Sequence, residues 1–150
     1  MRHIDLLSEV VRDVRVNHPF IIHGWVVLPD HLHCVIELPQ DDDKFAIRWK
    51  LIKSNFSRRI EKTEWRSAVR ERRGERGIWQ RRFWDHVIRD ENDFQRHLDY
   101  IHYNPVKHGV AVSAYEFVFS SFRAYVERGA YSLDWGLGVA PPQISSMDIE

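Results

Sequence analysis

Two histidines separated by a single residue, His31 and His33, are the first side chains in this sequence whose spacing suggests chemistry. They follow an apolar run at 26–28 and the turn residues Pro29 and Asp30. Successive side chains of a strand alternate between its faces, so both imidazoles would share one face. Neutral imidazole is a common ligand of divalent metals. The pair is therefore either a metal site or two surface histidines of a half-buried strand, and the spacing leaves both open.

A phenol and an amide lie further along the chain, at Tyr100 and Asn104. Asp90 is a plausible N-cap and Pro105 a plausible end, so the sequence predicts a helix over about 91–104. Its buried stripe would be Phe94, Leu98 and Ile101. Side chains four residues apart are neighbours on a helical face, so Tyr100 and Asn104 can address one small volume. The alternative is a tyrosine at the core edge and an asparagine that caps the helix.

The other elements are predicted from hydrophobic periodicity and from turn residues. They are a helix at 4–16, an antiparallel hairpin formed by 20–28 and the histidine strand, a helix at 44–62, a flexible charged loop within 63–77 and a strand at 79–88. The segment from Tyr131 onward is predicted to be loosely ordered. We expect one domain at 1–135 and a C-terminal tail at 136–150.

Composition restricts the class of protein. Of the 150 residues, 43% are hydrophobic and 13% aromatic, which is typical of a globular domain. The lone Cys34 excludes an intramolecular disulfide and a cysteine-based zinc cluster, and it fits a reducing compartment. The sequence lacks a long apolar run and a secretory signal pattern. We therefore expect a cytoplasmic protein that does not enter a membrane.

Charge is segregated along the chain although the formal net charge is zero. Between Lys44 and Arg89 there are 15 Lys and Arg residues against 5 Asp and Glu residues, whereas the whole chain has 22 of each class. A block of one sign attracts polyanions such as nucleic acids. The alternative is a solvated helical face with salt-bridged charges. Charge alone leaves the two interpretations even.

Three segments carry a resemblance to a known family. They are His31-Leu32-His33 with the residues before it, the run 79–90, and the run 100–109, which reads Tyr-Ile-His-Tyr-Asn-Pro-Val-Lys-His-Gly. Together they resemble the REP-associated tyrosine transposases, which belong to the single-tyrosine HUH transposases and nick and rejoin single-stranded DNA. The resemblance covers about 2–135. It implies an α+β fold of the ferredoxin-like HUH nuclease type, with an antiparallel sheet flanked by helices.

The resemblance also implies roles for individual residues. His31 and His33 correspond to the metal-binding pair, Tyr100 to the nucleophile, and Asn104 to the polar residue that completes the metal site. The metal would be Mg²⁺ or Mn²⁺. Tyr103 is a rival nucleophile, but it lies 300° around the helix from Tyr100. His97 and His102 are further candidates for proton transfer, against a structural role for each.

The implied substrate is single-stranded or hairpin DNA of the repetitive extragenic palindromic type, cleaved through a 5′-phosphotyrosine intermediate. The protein would then be associated with the nucleoid. The basic block is the candidate surface for the hairpin backbone, because phosphate contacts give affinity. We expect five of its residues to bind DNA: Lys53, Arg58, Arg59, Arg81 and Arg82.

One departure from the family concerns the first strand. Family members begin with a strand before the first helix, and this chain begins at Met1 almost inside that helix. A sheet that lacks this strand has an exposed edge, which a homodimer or extra residues could complete. Two other functions stay open: a catalytically silent protein that binds hairpin DNA, and a metal-dependent hydrolase that uses the histidine pair without Tyr100.

Overall fold

A computed structural model describes residues 3–80 and 83–141 of the chain. Within these residues the chain forms two compact units. The helical unit comprises the described residues of Met1–Phe20 and Leu38–Asp85, and the sheet unit comprises those of Ile21–Glu37 and His86–Glu150. Helices and an antiparallel pair of strands confirm the predicted α+β class. No helix in the described part of the chain is long and apolar enough to span a membrane.

The helical unit contains α1 (Ile4–Asn17), α2 (Phe45–Arg59) and α3 (Ala68–Arg72). The apolar face of α1 is buried as its spacing predicts, and α1 contacts α2. Helix α2 ends three residues earlier than predicted, because the backbone of Ile60 is extended.

The loop after α2 is held by the guanidinium group of Arg76. Its nitrogens donate to the carbonyl oxygens of Ser57, Ile60 and Glu61 and to the carboxylate of Glu64. The hydrogen bonds from Arg76 also lower the pKa of Glu64 to about 2. The prediction of a flexible charged loop within 63–77 is wrong at 68–72, where α3 forms, and Arg76 ties the segment after α3 to the end of α2.

The sheet unit is built on an antiparallel hairpin of β1 (Ile21–Val27) and β2 (Leu32–Glu37), as predicted. Val26 pairs with His33, and a bulge lies between Ile22 and Gly24. On the other side of β1, Val26 forms a bridge with Ser120. Among the described residues, β2 has no strand on its outer edge. The histidine strand is thus an edge strand of the observed sheet.

A close approach of backbone and side chain occurs where the sheet meets α4 (Glu91–Lys107). A Cβ at Gly24 would lie 2.6 Å from Cδ2 of Leu98, and Leu98 is only 2% exposed. We expect Gly24→Ala to lower the free energy of unfolding by about 1–3 kcal/mol, the usual cost of overpacking a core. Chemical denaturation measures this change.

The matched control for this prediction is a double-mutant cycle with Leu98→Val, which shortens the obstructing side chain. If the clash is the cause, Gly24→Ala costs less in the Leu98→Val background than in the original chain. Equal costs in the two backgrounds would contradict it.

Helix α4 extends to Lys107 and contains Pro105, so the predicted end at Asn104 is wrong. A proline lacks the backbone N–H that would donate a hydrogen bond to the preceding helical turn. Pro105 lies in the last turn of α4, so only a hydrogen bond near the end of the helix is lost. Its own carbonyl oxygen accepts from the N–H groups of Val110 and Ala111. The chain turns away from the helix at Gly109, whose φ of 64° is the left-handed conformation that favours glycine.

The described residues of 79–88 form no strand, which corrects the prediction of one there. Trp79 packs on Phe56 of α2 and donates its Nε1–H to Ser57. The ammonium of Lys53 lies 4.9 Å from the ring centre of Phe83. The side chains of Trp79 and Phe83 therefore contact residues of α2 individually, and their backbone does not pair as it would in a strand.

An aromatic cluster forms where the sequence predicts loose order. Tyr131 is buried, and its ring centre lies 4.7 Å from that of Trp135 and 5.3 Å from that of Phe122, the first residue of α5 (Phe122–Glu127). The hydroxyl of Tyr131 donates to the carboxylate of Asp99 at 2.6 Å. The prediction of loose order from Tyr131 onward is wrong up to Trp135. Residues 142–150 of the predicted tail lie outside the described residues.

Candidate functional site

The two histidines lie at the start of β2, as a pair. His33 is within the strand, and His31 immediately precedes it, with its carbonyl oxygen accepting from the N–H of Leu28. The ring centres are 5.0 Å apart and the ring planes are nearly perpendicular. Nδ1 of His31 donates to the carboxylate of Asp30 at 2.7 Å, which orients this ring. This hydrogen bond lowers the pKa of Asp30.

The phenol of Tyr100 faces this pair. Its ring centre lies 5.3 Å from that of His33, with the planes at 84°. Tyr100 is 2% exposed, because α4 packs on both strands of the hairpin. Side chains alternate between the faces of a strand and recur every turn of a helix. These two spacings place the phenol of Tyr100 beside the histidine pair within the sheet unit. The structure brings together three of the residues that the resemblance identified, His31, His33 and Tyr100.

Two residues of the site were missed by the sequence analysis, Lys107 and His108. Nζ of Lys107 donates to the phenol oxygen of Tyr100 at 3.4 Å and lies 5.0 Å from the centre of its ring. The ring of His108 is 5.1 Å from that of His31. Positions 100, 104, 107 and 108 share a helical spacing, which is a signal that could have found them. It was hidden because the helix was predicted to end before Pro105.

Asn104 lies one turn after Tyr100 on α4 and is completely buried. Neither its amide oxygen nor its amide nitrogen has a hydrogen-bond partner among the described residues. A buried amide that makes no hydrogen bond costs free energy, and a water molecule, a ligand or an ion that pairs with it would lower that cost. Imidazole nitrogens and an amide oxygen are atom types that could hold a divalent cation.

The two candidates for proton transfer, His97 and His102, lie on α4 with Tyr100. The ring of His102 is buried between Tyr125 and Tyr131, and its Nε2 is 2.8 Å from the hydroxyl of Ser121. Burial lowers the pKa of His102 to about 4. Nδ1 of His97 donates to the carbonyl oxygen of Asp93. These contacts agree with the structural alternative for each histidine, and the proton-transfer roles stay predictions.

A second cluster with the composition of a metal site surrounds Asp93 at the start of α4. Its possible ligands are His86, Asp93 and His97. Nε2 of His86 and Nε of Arg89 both donate to the carboxylate of Asp93, and these hydrogen bonds hold its pKa well below the usual range. A nitrogen that donates a proton has no lone pair available for a metal. We therefore interpret this cluster as the network that fixes the start of α4.

The predicted DNA-binding residues differ in their surroundings within the helical unit. Arg59 forms salt bridges with Glu9 at 2.7 Å and with Asp13 at 3.3 Å. Lys53 lies over the rings of Trp79 and Phe83, as described above. Arg58 is exposed in the last turn of α2. Arg81 and Arg82 lie outside the described residues.

Comparison with known proteins gives close relatives. No protein-family model matches the chain. The chain is 41% identical over 130 residues to the REP-associated tyrosine transposase of Escherichia coli (strain K12), covering 87% of this chain and 71% of the relative. It is 45% identical over 136 residues to a Haemophilus influenzae protein assigned to the same family, covering 89% and 77% of the two chains.

A solved structure resembles the chain over nearly its whole length. This is a REP-associated tyrosine transposase bound to a REP hairpin, with a TM-score of 0.79 and 36% sequence identity. The match covers 99% of this chain and 79% of that chain. Fold and sequence therefore point to the same relatives.

Proposed function

Because this chain belongs to the REP-associated tyrosine transposases, we propose that it nicks and rejoins single-stranded DNA at REP-type hairpins, with Tyr100 as the nucleophile. The observation that carries the proposal is the position of the Tyr100 ring, 5.3 Å from the ring of His33. A nucleophile of this kind needs a neighbouring group that neutralises the phosphodiester it attacks. Lys107 places a positive charge at the phenol, and the neighbouring His33 is one of the residues proposed to hold a cation there.

The proposed reaction conserves the phosphodiester. The phenol oxygen of Tyr100 attacks phosphorus, the bond from phosphorus to the 3′ oxygen breaks, and the phenol proton is released as the 3′-OH forms. The product is a 5′-phosphotyrosine. The 3′-OH of a second strand then attacks the same phosphorus, which restores the phenol and joins the strands. No nucleotide cofactor is needed, because the covalent link retains the energy of the original bond.

We assign His31, His33 and Asn104 as the residues that would hold Mg²⁺ or Mn²⁺. The support is the orientation of the two imidazoles and the buried amide that lacks a hydrogen-bond partner. A bound divalent ion supplies Lewis-acid stabilisation of phosphate oxygens. Asp30 positions the ring of His31 in the manner of an outer-shell carboxylate.

Lys107 donates a hydrogen bond to the phenol oxygen of the proposed nucleophile. Its ammonium group holds the phenol through a hydrogen bond and through its position over the ring. We propose that it orients Tyr100 before attack and neutralises charge on the phosphate that the phenol approaches.

We propose that the basic block binds the hairpin backbone through Lys53, Arg58, Arg59, Arg81 and Arg82. Arg58 and Arg59 offer a direct test, since they are neighbours in sequence and only Arg59 is paired with two carboxylates. We expect Arg58→Gln to weaken hairpin binding and to reduce the slope of log affinity against log salt by about 1. Arg59→Gln should have a smaller effect, because Glu9 and Asp13 already neutralise its charge.

Fluorescence anisotropy with a labelled hairpin, measured at several salt concentrations, gives both slopes. A slope that is unchanged in Arg58→Gln would remove this residue from the DNA-binding surface.

We further propose that the outer edge of β2 pairs with a second copy of the chain or with additional residues. The support is that β1 is the one strand paired with β2 among the described residues, which makes β2 an edge strand. Sedimentation of the protein with and without hairpin DNA tests for a homodimer.

The experiment that tests the proposed function is a search for a covalent complex. The protein is incubated with Mn²⁺ and with a hairpin labelled on the 3′ side of the nick. We expect an adduct that survives denaturation and disappears when an acceptor strand with a free 3′-OH is added. Hairpin binding without any adduct would instead favour a silent DNA-binding protein. Cleavage that releases free 5′-phosphate, without an adduct, would favour a hydrolase that does not use Tyr100.

A further inference from the structure

A chain of hydrogen bonds joins α4 to β1 within the sheet unit. His102 of α4 is completely buried, and its Nε2 is 2.8 Å from the hydroxyl oxygen of Ser121. The same oxygen accepts from the backbone N–H of Trp25 at 3.0 Å. The backbone N–H of Ser121 donates in turn to the carbonyl oxygen of Trp25 at 2.8 Å. One hydroxyl group therefore connects a side chain of the helix to the backbone of the strand.

The direction of the hydrogen bond at His102 follows from the surroundings of the ring. Burial lowers the pKa of His102 to about 4, so the ring is neutral at pH 7 and one nitrogen carries a hydrogen. Nδ1 is buried and has no hydrogen-bond partner among the described residues. Because an unpaired N–H in a protein interior is rarer than an unpaired acceptor, we assign the hydrogen to Nε2. His102 then donates to Ser121, and the hydroxyl of Ser121 donates to the carbonyl oxygen of Trp25 at 3.3 Å.

This connection joins the two elements that bring the proposed nucleophile to the histidine pair. Tyr100 precedes His102 by two residues on α4, which places the two side chains about 200° apart around the helix. Trp25 directly precedes Val26, the residue of β1 that pairs with His33. The contact between the phenol and the imidazole is therefore on one face of α4, and the hydrogen bond to β1 is on another.

The hydrogen bond restricts the position of the helix in a way that apolar packing does not. The hydrophobic effect has no direction, so the contact of Leu98 with Gly24 opposes separation of α4 from β1 more than it opposes a small shift along the strand. A hydrogen bond weakens steeply outside a narrow range of length and angle. The bond from His102 to Ser121 therefore defines where α4 lies along β1.

We propose that His102 is a positioning residue for Tyr100, and that it acts through Ser121 by holding α4 in register on β1. The inference rests on the proposed function and adds to it a residue that is too deeply buried to contact DNA. The effect is on the rate of attack, because a displacement of about 1 Å at the reacting atoms can cost about a hundredfold in rate. Hairpin affinity is spared, because the residues proposed to bind the hairpin backbone lie outside α4 and β1.

The test compares His102→Gln with His102→Met. Both replacements are unbranched and favour helices, but only glutamine retains an N–H group that can donate to Ser121. The protein is mixed with Mn²⁺ and a saturating concentration of the labelled hairpin, and the rate of adduct formation is measured in a single turnover. Anisotropy gives the hairpin affinity separately, and the rate is calculated per bound hairpin, so unfolded protein does not enter it.

We expect His102→Met to slow adduct formation by about ten- to a hundredfold and His102→Gln to stay within about threefold of the original rate. Ser121→Ala removes the acceptor of the same hydrogen bond and should slow the reaction by a factor similar to that of His102→Met. In the double variant the rate should equal that of the slower single variant, because both changes break one connection. Hairpin affinity should be unchanged in all four proteins.

The matched control is Tyr125→Phe. The hydroxyl of Tyr125 donates to the carbonyl oxygen of His23 at 2.9 Å, so this change also removes one oxygen atom that is bonded to β1. Tyr125 belongs to α5, however, and its hydrogen bond does not hold α4. The rate of adduct formation should therefore equal that of the original chain.

Three results would overturn the inference. The first is an original rate in His102→Met, and the second is equal slowing in Tyr125→Phe and Ser121→Ala. The third is a His102→Gln rate as slow as that of His102→Met, which would instead support proton transfer by His102. If the original chain forms the adduct in these cases, the proposed function stands and the positioning role alone fails. If the original chain binds the hairpin and forms no adduct, both fail together.

Discussion

Replacing Tyr100 by phenylalanine is expected to abolish the covalent complex with hairpin DNA while leaving hairpin affinity unchanged. The substitution removes one oxygen atom and keeps the ring that packs beside His33. Adduct formation should fall by at least about a thousandfold, because the attacking atom is lost. Denaturing gel electrophoresis measures the adduct, and anisotropy measures the affinity.

Tyr103 provides the control for this prediction, since it is a tyrosine of the same helix with a different environment. Its ring contacts Trp135 at 6.3 Å between centres. Tyr103→Phe should therefore retain adduct formation. An adduct that persists in Tyr100→Phe and is lost in Tyr103→Phe would reverse the assignment and would require α4 to present its other face to the DNA.

The arrangement of the site could be predicted because it depends on local periodicity. In a strand, side chains two residues apart point to the same face, and this spacing predicts that His31 and His33 lie side by side. In a helix, side chains four residues apart share a face, which unites Tyr100 with Asn104. Lys107 was also missed for a local reason. Because proline often ends a helix, the helix was predicted to end at Asn104, although it continues to Lys107.

The remainder could not be predicted because it depends on contacts between residues far apart in sequence. Arg76 fixes a loop by reaching carbonyl groups up to 19 residues away. Tyr131 becomes buried by bonding to Asp99, 32 residues earlier. Trp79 satisfies its indole N–H with Ser57 and needs no neighbouring strand. Hydrophobic patterns show that such side chains will be buried, but they do not identify the partner.

The histidine pair leads to the second large expected effect, which concerns metal affinity. We expect His33→Ala to weaken Mn²⁺ binding by on the order of a hundredfold, because the loss of an outer-shell partner alone costs about 10- to 100-fold. His31→Ala should have a similar effect. Calorimetric titration of the protein with Mn²⁺ measures both without requiring DNA or catalysis.

A variant of the cluster around Asp93 tests whether Mn²⁺ binds at the histidine pair. His86→Gln removes one possible ligand of that second cluster and leaves His31 and His33 in place. Because the hydrogen bonds of His86 and Arg89 occupy the Asp93 carboxylate, Mn²⁺ affinity should be unchanged in this variant. Weaker binding in His86→Gln, with normal binding in His33→Ala, would move the metal site to the start of α4.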